Sequence, residues 1–561
     1  MRAKPFKFPA KAKSAAFVAA VTAFSLPATN YALTLPSSDS FPDKISTVVH
    51  GILRSSRAII TVACTVADYK YSLRGLQKDS NEYRYEMSEV HLRSAKRILK
   101  LCEANKGFYV KAGQFVAAQG VIPKEYSSTL SALQDQVAPC SFKTIKEVLM
   151  HNLGPDFSEM ILSVSEQPIA AASVSQVHRA VLKSGHEVAI KVQYPDLEQQ
   201  MNFDTRTMSF LSKTIAQFFP EYRFQWLASA FTRTLALELD FVQEARNSER
   251  AASNFENNKF IRVPCVFWEL TTRQVLTMQF CTGQKIDDLD FLKQIGVDPK
   301  KVARALVEIF AEMIFVHGYI HCDPHPGNIL VSRDSYNGFS LVLLDHGIYR
   351  ELDEEFRKDF CQLWEALLLQ DSKKIMCLGE RFGIGEYSKY LPIIFTGRSI
   401  ESKSGLGSGM SVEEKENMKK ELRSLLFEDL SPFMESLPPE FLSIMRVDGL
   451  LRAIIRKLGA SRWIRWLAYA KYGMYGIYQK LDAETDFAGK TVFFRFMSEF
   501  KYYGILTRLI VGEIEAKFVV PLGQKLKNAL HYLYSKIHSD FWGLLMHSWF
   551  LVFVIRHGSF C

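Results

Sequence analysis

Apolar residues from Ser88 to Phe115 fall at Val90, Leu92, Ile98, Leu99, Leu101 and Phe108, the spacing of one buried helical face. A second helix is expected over Phe142 to Leu153, with Ser141 as its N-cap and Gly154-Pro155 as its stop. The period then changes. Gln176 to Leu182 and Glu187 to Gln193 read as strands on either side of Lys183-Ser-Gly-His186, a hairpin turn. Helical spacing returns over Lys300 to His317, where Val302, Ala305, Leu306, Ile309, Phe310, Met313 and Ile314 share one face. Two short apolar runs follow, Ile329 to Val331 and Leu341 to Leu344, split by a polar turn from Ser332 to Gly338. Thr396 to Met410 is rich in Gly and Ser and reads as a flexible loop. Helices, then strands, then helices again predict an α+β chain.

The two ends raise the question of membranes. Ile45 to Ala67 is apolar but carries Arg54 and Arg57, so it is expected to pack as an amphipathic helix rather than to span. Phe541 to Ile555 is more apolar, but fifteen residues are short for a span, so surface attachment or a buried terminal helix is expected. With 561 residues the chain exceeds one ordinary core. The formal charge of +9 includes five basic residues in a leader with no acid before Asp39. That basic, Ala- and Ser-rich leader reads as an organelle transit peptide, mitochondrial or plastid, with a secretory signal as the rival. The rest is only mildly basic and holds no nucleic-acid recognition motif. Nine cysteines without a C-x-x-C pair argue against a disulfide framework and a zinc cluster.

The candidate chemistry lies in His321-Cys-Asp323-Pro-His-Pro-Gly-Asn328, followed seventeen residues after Asn328 by Asp345-His-Gly347. This is the spacing of a kinase catalytic loop and a D-x-G across a hairpin. Magnesium on a triphosphate needs hard oxygen ligands, which Asn328 and Asp345 supply, and a further acid near the acceptor, which Asp323 supplies. Taken singly, these residues would be turn caps, and His321, Asp323 and His325 would be candidate transition-metal ligands. Their order favours the phosphate reading. Upstream, Val188-Ala-Ile-Lys191 offers a strand lysine for the α- and β-phosphates. Glu238-Leu-Asp240-Phe-Val-Gln-Glu244 reads as one helix with two candidate partners for that lysine. No G-x-G-x-x-G loop precedes the hairpin. Ala170-Ala-Ala-Ser173 stands there instead, so phosphate contact is expected to differ. Lys191 and Asp345 must lie within about 10 Å if both grip one nucleotide.

Together these residues resemble the UbiB family, the aarF-domain-containing atypical kinases, over roughly Ser88 to Ile477. Lys111-Ala-Gly-Gln114 is similar to its K-x-G-Q signature, Ala170 to Ser173 to its alanine-rich nucleotide loop, and Glu238-Leu-Asp240 to its E-x-D motif. Asp345-His-Gly347 departs from D-F-G in the manner of a mitochondrial branch. The resemblance implies a two-lobed protein-kinase-like fold with a small β-rich N-lobe, a larger helical C-lobe and a helical N-terminal extension. Residues 1–38 would be transit peptide, 39–87 a membrane-proximal helical segment and 88–165 the K-x-G-Q extension. The N-lobe would take 166–280, the C-lobe 281–480 and a helical tail 481–561.

Carried over from the family, Lys111 pairs with Glu238, leaving Glu244 for Lys191, while Gln114 and Asp240 belong to the regulatory extension. ATP or ADP with Mg²⁺ is the implied cofactor, a lipid-like or quinone-pathway molecule near a membrane surface the implied partner, and no nucleic acid is expected. Two other readings fit the same loop: a soluble kinase of the aminoglycoside or choline type, and a non-catalytic scaffold that keeps the fold. Neither these motifs nor the resemblance specifies a phosphoryl acceptor or an oligomeric state.

Overall fold

The computed structural model describes residues 41–514 and Tyr532, apart from 79, 118–121, 135–138, 155–156, 196, 220–224, 335–337, 403–405, 407–409, 425–426 and 479–487. The leader and the terminal apolar run lie outside the described residues. The chain divides into two compact units. The first comprises Met1–Lys358, Arg381–Ile384 and Leu425–Tyr472, the second Asp359–Glu380, Gly385–Ser424 and Gly473–Cys561.

The first unit opens with helices α1 (Phe41–Ser72), α2 (Asn81–Asn105), α3 (Phe108–Ala117), α4 (Lys124–Leu130) and α5 (Phe142–Leu153). The single helix expected from Ser88 to Phe115 is two helices. Lys106 and Gly107 adopt positive φ (54° and 45°), and the Lys106 N–H closes α2 on the Cys102 carbonyl. Glycine tolerates that backbone, and it lets α3 leave at a new angle. The arginines in α1 serve its packing. Arg54 binds the buried Asp204 through both carboxylate oxygens, and Arg57 reaches the Asn105 side chain (3.2 Å). No described helix is long and apolar enough to cross a membrane. Ser141 caps α5 by accepting the Thr144 N–H, and Gly154 (φ 81°) ends it, as its sequence predicts.

Strands β1 (Ile161–Val164), β2 (Ala170–Ala171), β3 (Ser175–Leu182), β4 (Glu187–Gln193) and β6 (Val275–Gln279) form an antiparallel sheet in the order β1-β3-β4-β6, with β2 on β3. The expected hairpin is present, turning through Gly185 at φ 84°. Alternation along β4 decides what faces what. Val188, Ile190 and Val192 pack into the core under α5, while Ala189 faces Phe241 and Ala245. Lys191, two residues on from Ala189, shares that second face.

Helices α6 (Leu197–Phe218), α7 (Gln225–Glu238) and α8 (Phe241–Asn254) follow. The segment Glu238 to Glu244, expected as one helix, is a helix end and a helix start. Glu238 closes α7, and Asp240 caps α8 by accepting the Gln243 N–H (3.1 Å). A second sheet has the order β5 (Ile261–Arg262), β10 (Gly338–Leu343), β9 (Ile329–Asp334), β7 (Gln284–Lys285). A third pairs β8 (Tyr319–His321) with β11 (Tyr349–Glu351). Between them, α9 (Pro299–Glu312) and a wider turn over Met313–His317 fill the interior with Leu306, Phe310 and Phe315. Helix α10 (Pro439–Lys457) completes the parts the site uses. The second unit is helical among its described residues, and its buried Glu365 is held between Lys374 (2.8 Å) and Lys501 (3.0 Å).

Candidate functional site

All the predicted site residues lie in the first unit, and its sheets bring most of them together. Strand alternation aims Lys191 at α8, where its ammonium meets both oxygens of Glu244 (2.7 and 2.9 Å) and Asp345 Oδ2 (3.3 Å). These groups lie on a strand, a helix and a loop distant in sequence. Burial works against the Lys191 charge, but Asp345 and Glu244 outweigh it and hold the ammonium above the usual lysine range. Glu244 is 1% exposed, and burial pushes its carboxyl up to about 7 against the pull of Lys191. Asp345 goes the other way. Burial would raise it, but Lys191 and the Gly347 N–H (2.9 Å to Oδ1) keep it ionised well below the usual carboxylate range.

One imidazole staples the two loops. His321 donates from Nε2 to the Asp345 carbonyl (2.6 Å) and accepts the Asp323 N–H at Nδ1 (3.1 Å), which fixes its tautomer. Burial lowers its pKa, in keeping with a neutral ring. His325 is a turn cap, taking the Gly327 N–H at Nδ1 (3.1 Å). With His321 committed at both nitrogens and His325 in the turn, the transition-metal alternative loses its ligands. Among the described residues no group of three or more His, Cys, Asp and Glu could hold a metal.

The Asn328 amide NH₂ donates to the Asp323 carbonyl and to its Oδ2 (both 3.2 Å), which turns the amide oxygen outward as the atom left for a cation. Its own carbonyl accepts the Leu344 N–H (2.9 Å), so Asn328 and Asp345 are neighbours. One carboxylate and one amide oxygen fit magnesium, whose remaining ligands are usually phosphate and water. Asp323 also receives Arg446 from α10 on Oδ1 (2.8 Å). Burial raises Asp323, yet Arg446 and Lys111 more than reverse that, leaving a weakly basic carboxylate.

Lys111 on α3 reaches Glu238 at the end of α7 (2.8 Å). Gln114 donates to the Leu133 carbonyl (2.8 Å), tying α3 to the turn Ser131–Gln134. Ala170 to Ser173 supplies the strand β2 and the turn of a tight hairpin onto β3, in which the Ala172 N–H donates to the Ser175 carbonyl (2.8 Å), so that N–H is taken up within the turn. Several residues escaped the sequence reading. Arg446 sits on a mixed helix with no marker of its role. Asn247 binds the His346 carbonyl (2.9 Å) and accepts the Tyr319 hydroxyl (2.7 Å), locking α8 to the Asp345 loop. An Asn three residues after Glu244, on the same helical face, was its only signal.

An ABC1 atypical kinase-like domain matches residues 132–378. AarF domain-containing protein kinase 1 of Xenopus laevis is 39% identical over 73% of this chain and 79% of its own length. The chain belongs to the UbiB family of ABC1/AarF atypical kinase-like proteins. The mouse AarF domain-containing protein kinase 1 is 37% identical over 73% of this chain and 78% of its own. A probable serine/threonine-protein kinase, abkB, from Dictyostelium discoideum is 35% identical over 74% and 62% respectively. UbiB relatives are thus named as kinases. Arg446 lies beyond the matched domain.

Proposed function

We propose that this UbiB protein binds ATP with Mg²⁺ and transfers or hydrolyses its terminal phosphoryl group. The observation that carries this is the Lys191 ammonium held between Glu244 and Asp345 at 2.7 and 3.3 Å. Lysine so placed presents its charge to the α- and β-phosphates, with Glu244 fixing its direction. Asp345 and Asn328 would hold the magnesium, which when bound offsets charge on the β- and γ-phosphates. Asp323 orients the acceptor oxygen and is suited to accept its proton late, because Arg446 and Lys111 keep it weakly basic. The alanine hairpin covers the phosphates through Ala170, Ala171 and Ser173. Lys111 and Glu238 join the helical extension to the catalytic residues.

For place and substrate, the basic acid-free leader and the family support a mitochondrial, membrane-associated protein acting in lipid or quinone homeostasis. The test is thermal shift with ATP and Mg²⁺. Specific nucleotide binding stabilises the native state by mass action, by about 2.7 kcal/mol at a hundredfold excess over Kd. The wild type is expected to shift and Asp345→Asn to lose the magnesium-dependent part. A full magnesium-dependent shift in that variant refutes the proposal.

A further inference from the structure

The helical layer that carries Lys111 is hollow. Helices α1, α2, α3, α4, α6 and α7 surround a cavity of 630 Å³. That volume matches sites for organic ligands, whereas natural cores seldom hold voids larger than a water molecule. Its wall is apolar, with Val62, Leu101, Phe115, Leu211, Leu227 and Phe231. Two features break that surface. The Thr65 hydroxyl in the wall is buried with no hydrogen-bond partner. Lys78 and Arg84, the exposed cations of the lining, mark its solvent end, while the one acid there, Glu125, is engaged by the Ser88 hydroxyl (2.5 Å). Tyr69, His91 and Tyr126 satisfy one another, the two tyrosine hydroxyls at 2.8 Å.

We infer that this cavity binds a single-chain lipid with an anionic head, the chain lying among the apolar side chains and the head meeting Lys78 and Arg84. An ester or hydroxyl oxygen on the lipid would answer Thr65. The head is a carboxylate or a phosphate monoester, two sources of one chemistry that the test separates. The site also touches the proposed chemistry. Helix α3 gives Ala112, Gly113 and Phe115 to the cavity and Lys111 to Glu238, and α7, which ends in Glu238, gives Leu227, Ala228 and Phe231. A lipid there braces both partners of that ion pair and alters nucleotide turnover. This second step rests on the proposed function, while the binding step does not.

The experiment uses the purified full-length chain and a stearate bearing an anthroyloxy fluorophore. Saturable binding at one site per chain is expected, displaced by oleate and by oleoyl lysophosphatidate at least tenfold better than by oleyl alcohol. Thr65→Val should narrow any advantage of the lysophosphatidate, whose ester can reach that hydroxyl, over oleate. Reversing both surface charges (Lys78→Glu with Arg84→Glu) should weaken both anions at least tenfold and leave the alcohol unchanged. Ala228→Phe and Val62→Phe, which fill the cavity, should each abolish saturable binding while helical circular dichroism is kept. If neither filled variant folds, the surface pair decides alone. Equal displacement by the alcohol, or affinity indifferent to charge reversal, overturns the anionic head. Unchanged binding in a folded filled variant overturns the site. ATP hydrolysis by wild type unaffected at saturating oleate overturns the coupling, and absence of hydrolysis with binding intact counts against the proposed function alone.

Discussion

His346 occupies the middle of Asp345-His-Gly347, where D-F-G sequences carry phenylalanine, and His346→Phe therefore isolates what the imidazole contributes. The ring is 2% exposed and lies nearly parallel to Tyr349, at 10°. It accepts the Tyr349 hydroxyl at Nδ1 (2.9 Å) and donates from Nε2 to the Leu343 carbonyl (3.1 Å), so the neutral tautomer is fully used. Burial, reinforced by His321, lowers its pKa to about 3. Below about pH 6.5 the unfolded chain takes up a proton that the folded chain refuses. The stability His346 contributes is thus complete above that pH and lost as pH falls towards 3. Between pH 7 and pH 5 the loss is about 2 kcal/mol. Phenylalanine has no proton to gain, but it leaves a buried hydroxyl and a carbonyl unpaired. At pH 7 the variant should be less stable by roughly 2–4 kcal/mol after the gain from its apolar ring. The gap should shrink by about 2 kcal/mol at pH 5. Urea unfolding of both proteins at the two pH values measures it, and the titration of His91, whose surroundings do not include residue 346, cancels in the difference. A gap that does not change with pH refutes the argument. Nucleotide affinity should survive, because residue 346 serves Glu244 and Asn247 through its backbone.

Further outcomes follow from the same geometry. A Cβ on Gly113 would lie 2.4 Å from Leu133 Cδ1 and 3.2 Å from Cys102 Sγ. Gly113→Ala should therefore lose about 1–3 kcal/mol to overpacking, less up to about 1 kcal/mol of helix propensity. Denaturation of Gly113→Ala with Leu133→Ala should show the two costs to be less than additive. Arg446→Gln removes the foremost charge holding Asp323 down, so the acid limb of the kcat/KM profile should move to higher pH; a limb that stays put removes Asp323 from proton acceptance. Lys111→Met strands Glu238 at a largely buried position and should cost about 3–5 kcal/mol, with Lys111→Met/Glu238→Gln costing less than the sum. Additive costs would mean the 2.8 Å pair carries no coupling.

What could be read from sequence was what a local rule governs. Ser141 and Gly154 bound their helix through capping and backbone freedom, and Lys183 to His186 turns a hairpin because Gly185 permits positive φ. The loop His321 to Asn328 was legible for the same reason: its turn is made by residues within seven positions of one another, so spacing stands in for geometry. The errors fall where a local signal was weak against tertiary packing. The apolar stripe from Ser88 to Phe115 continues across Lys106-Gly107, and the break there joins the positive φ of those two residues to the packing of α3 in the core against Phe231 (5.1 Å between the rings of Phe108 and Phe231). Glu238 and Glu244 read as residues of one helix, whereas Asp240, an N-cap by type, marks the start of a second.

Partners such as Glu244 and Asp345 could be expected beside Lys191, but the acidity that such groups impose on one another across elements could not be read from spacing, nor could Arg446. Asp323 has an ordinary loop sequence around it, yet its carboxylate is governed by Arg446, 123 positions later, and by the charge of Lys111 far upstream. Lys191 likewise owes its raised pKa to Asp345, 154 positions away, as well as to Glu244. Spacing in a motif fixes where a carboxylate sits, but its proton affinity depends on which charges the fold gathers within a few ångströms. Two chains with the same His-x-Asp loop can therefore differ in base strength at Asp323 with no change inside the motif. In this chain the foremost cation on Asp323 is Arg446, on a helix outside the matched kinase-like domain.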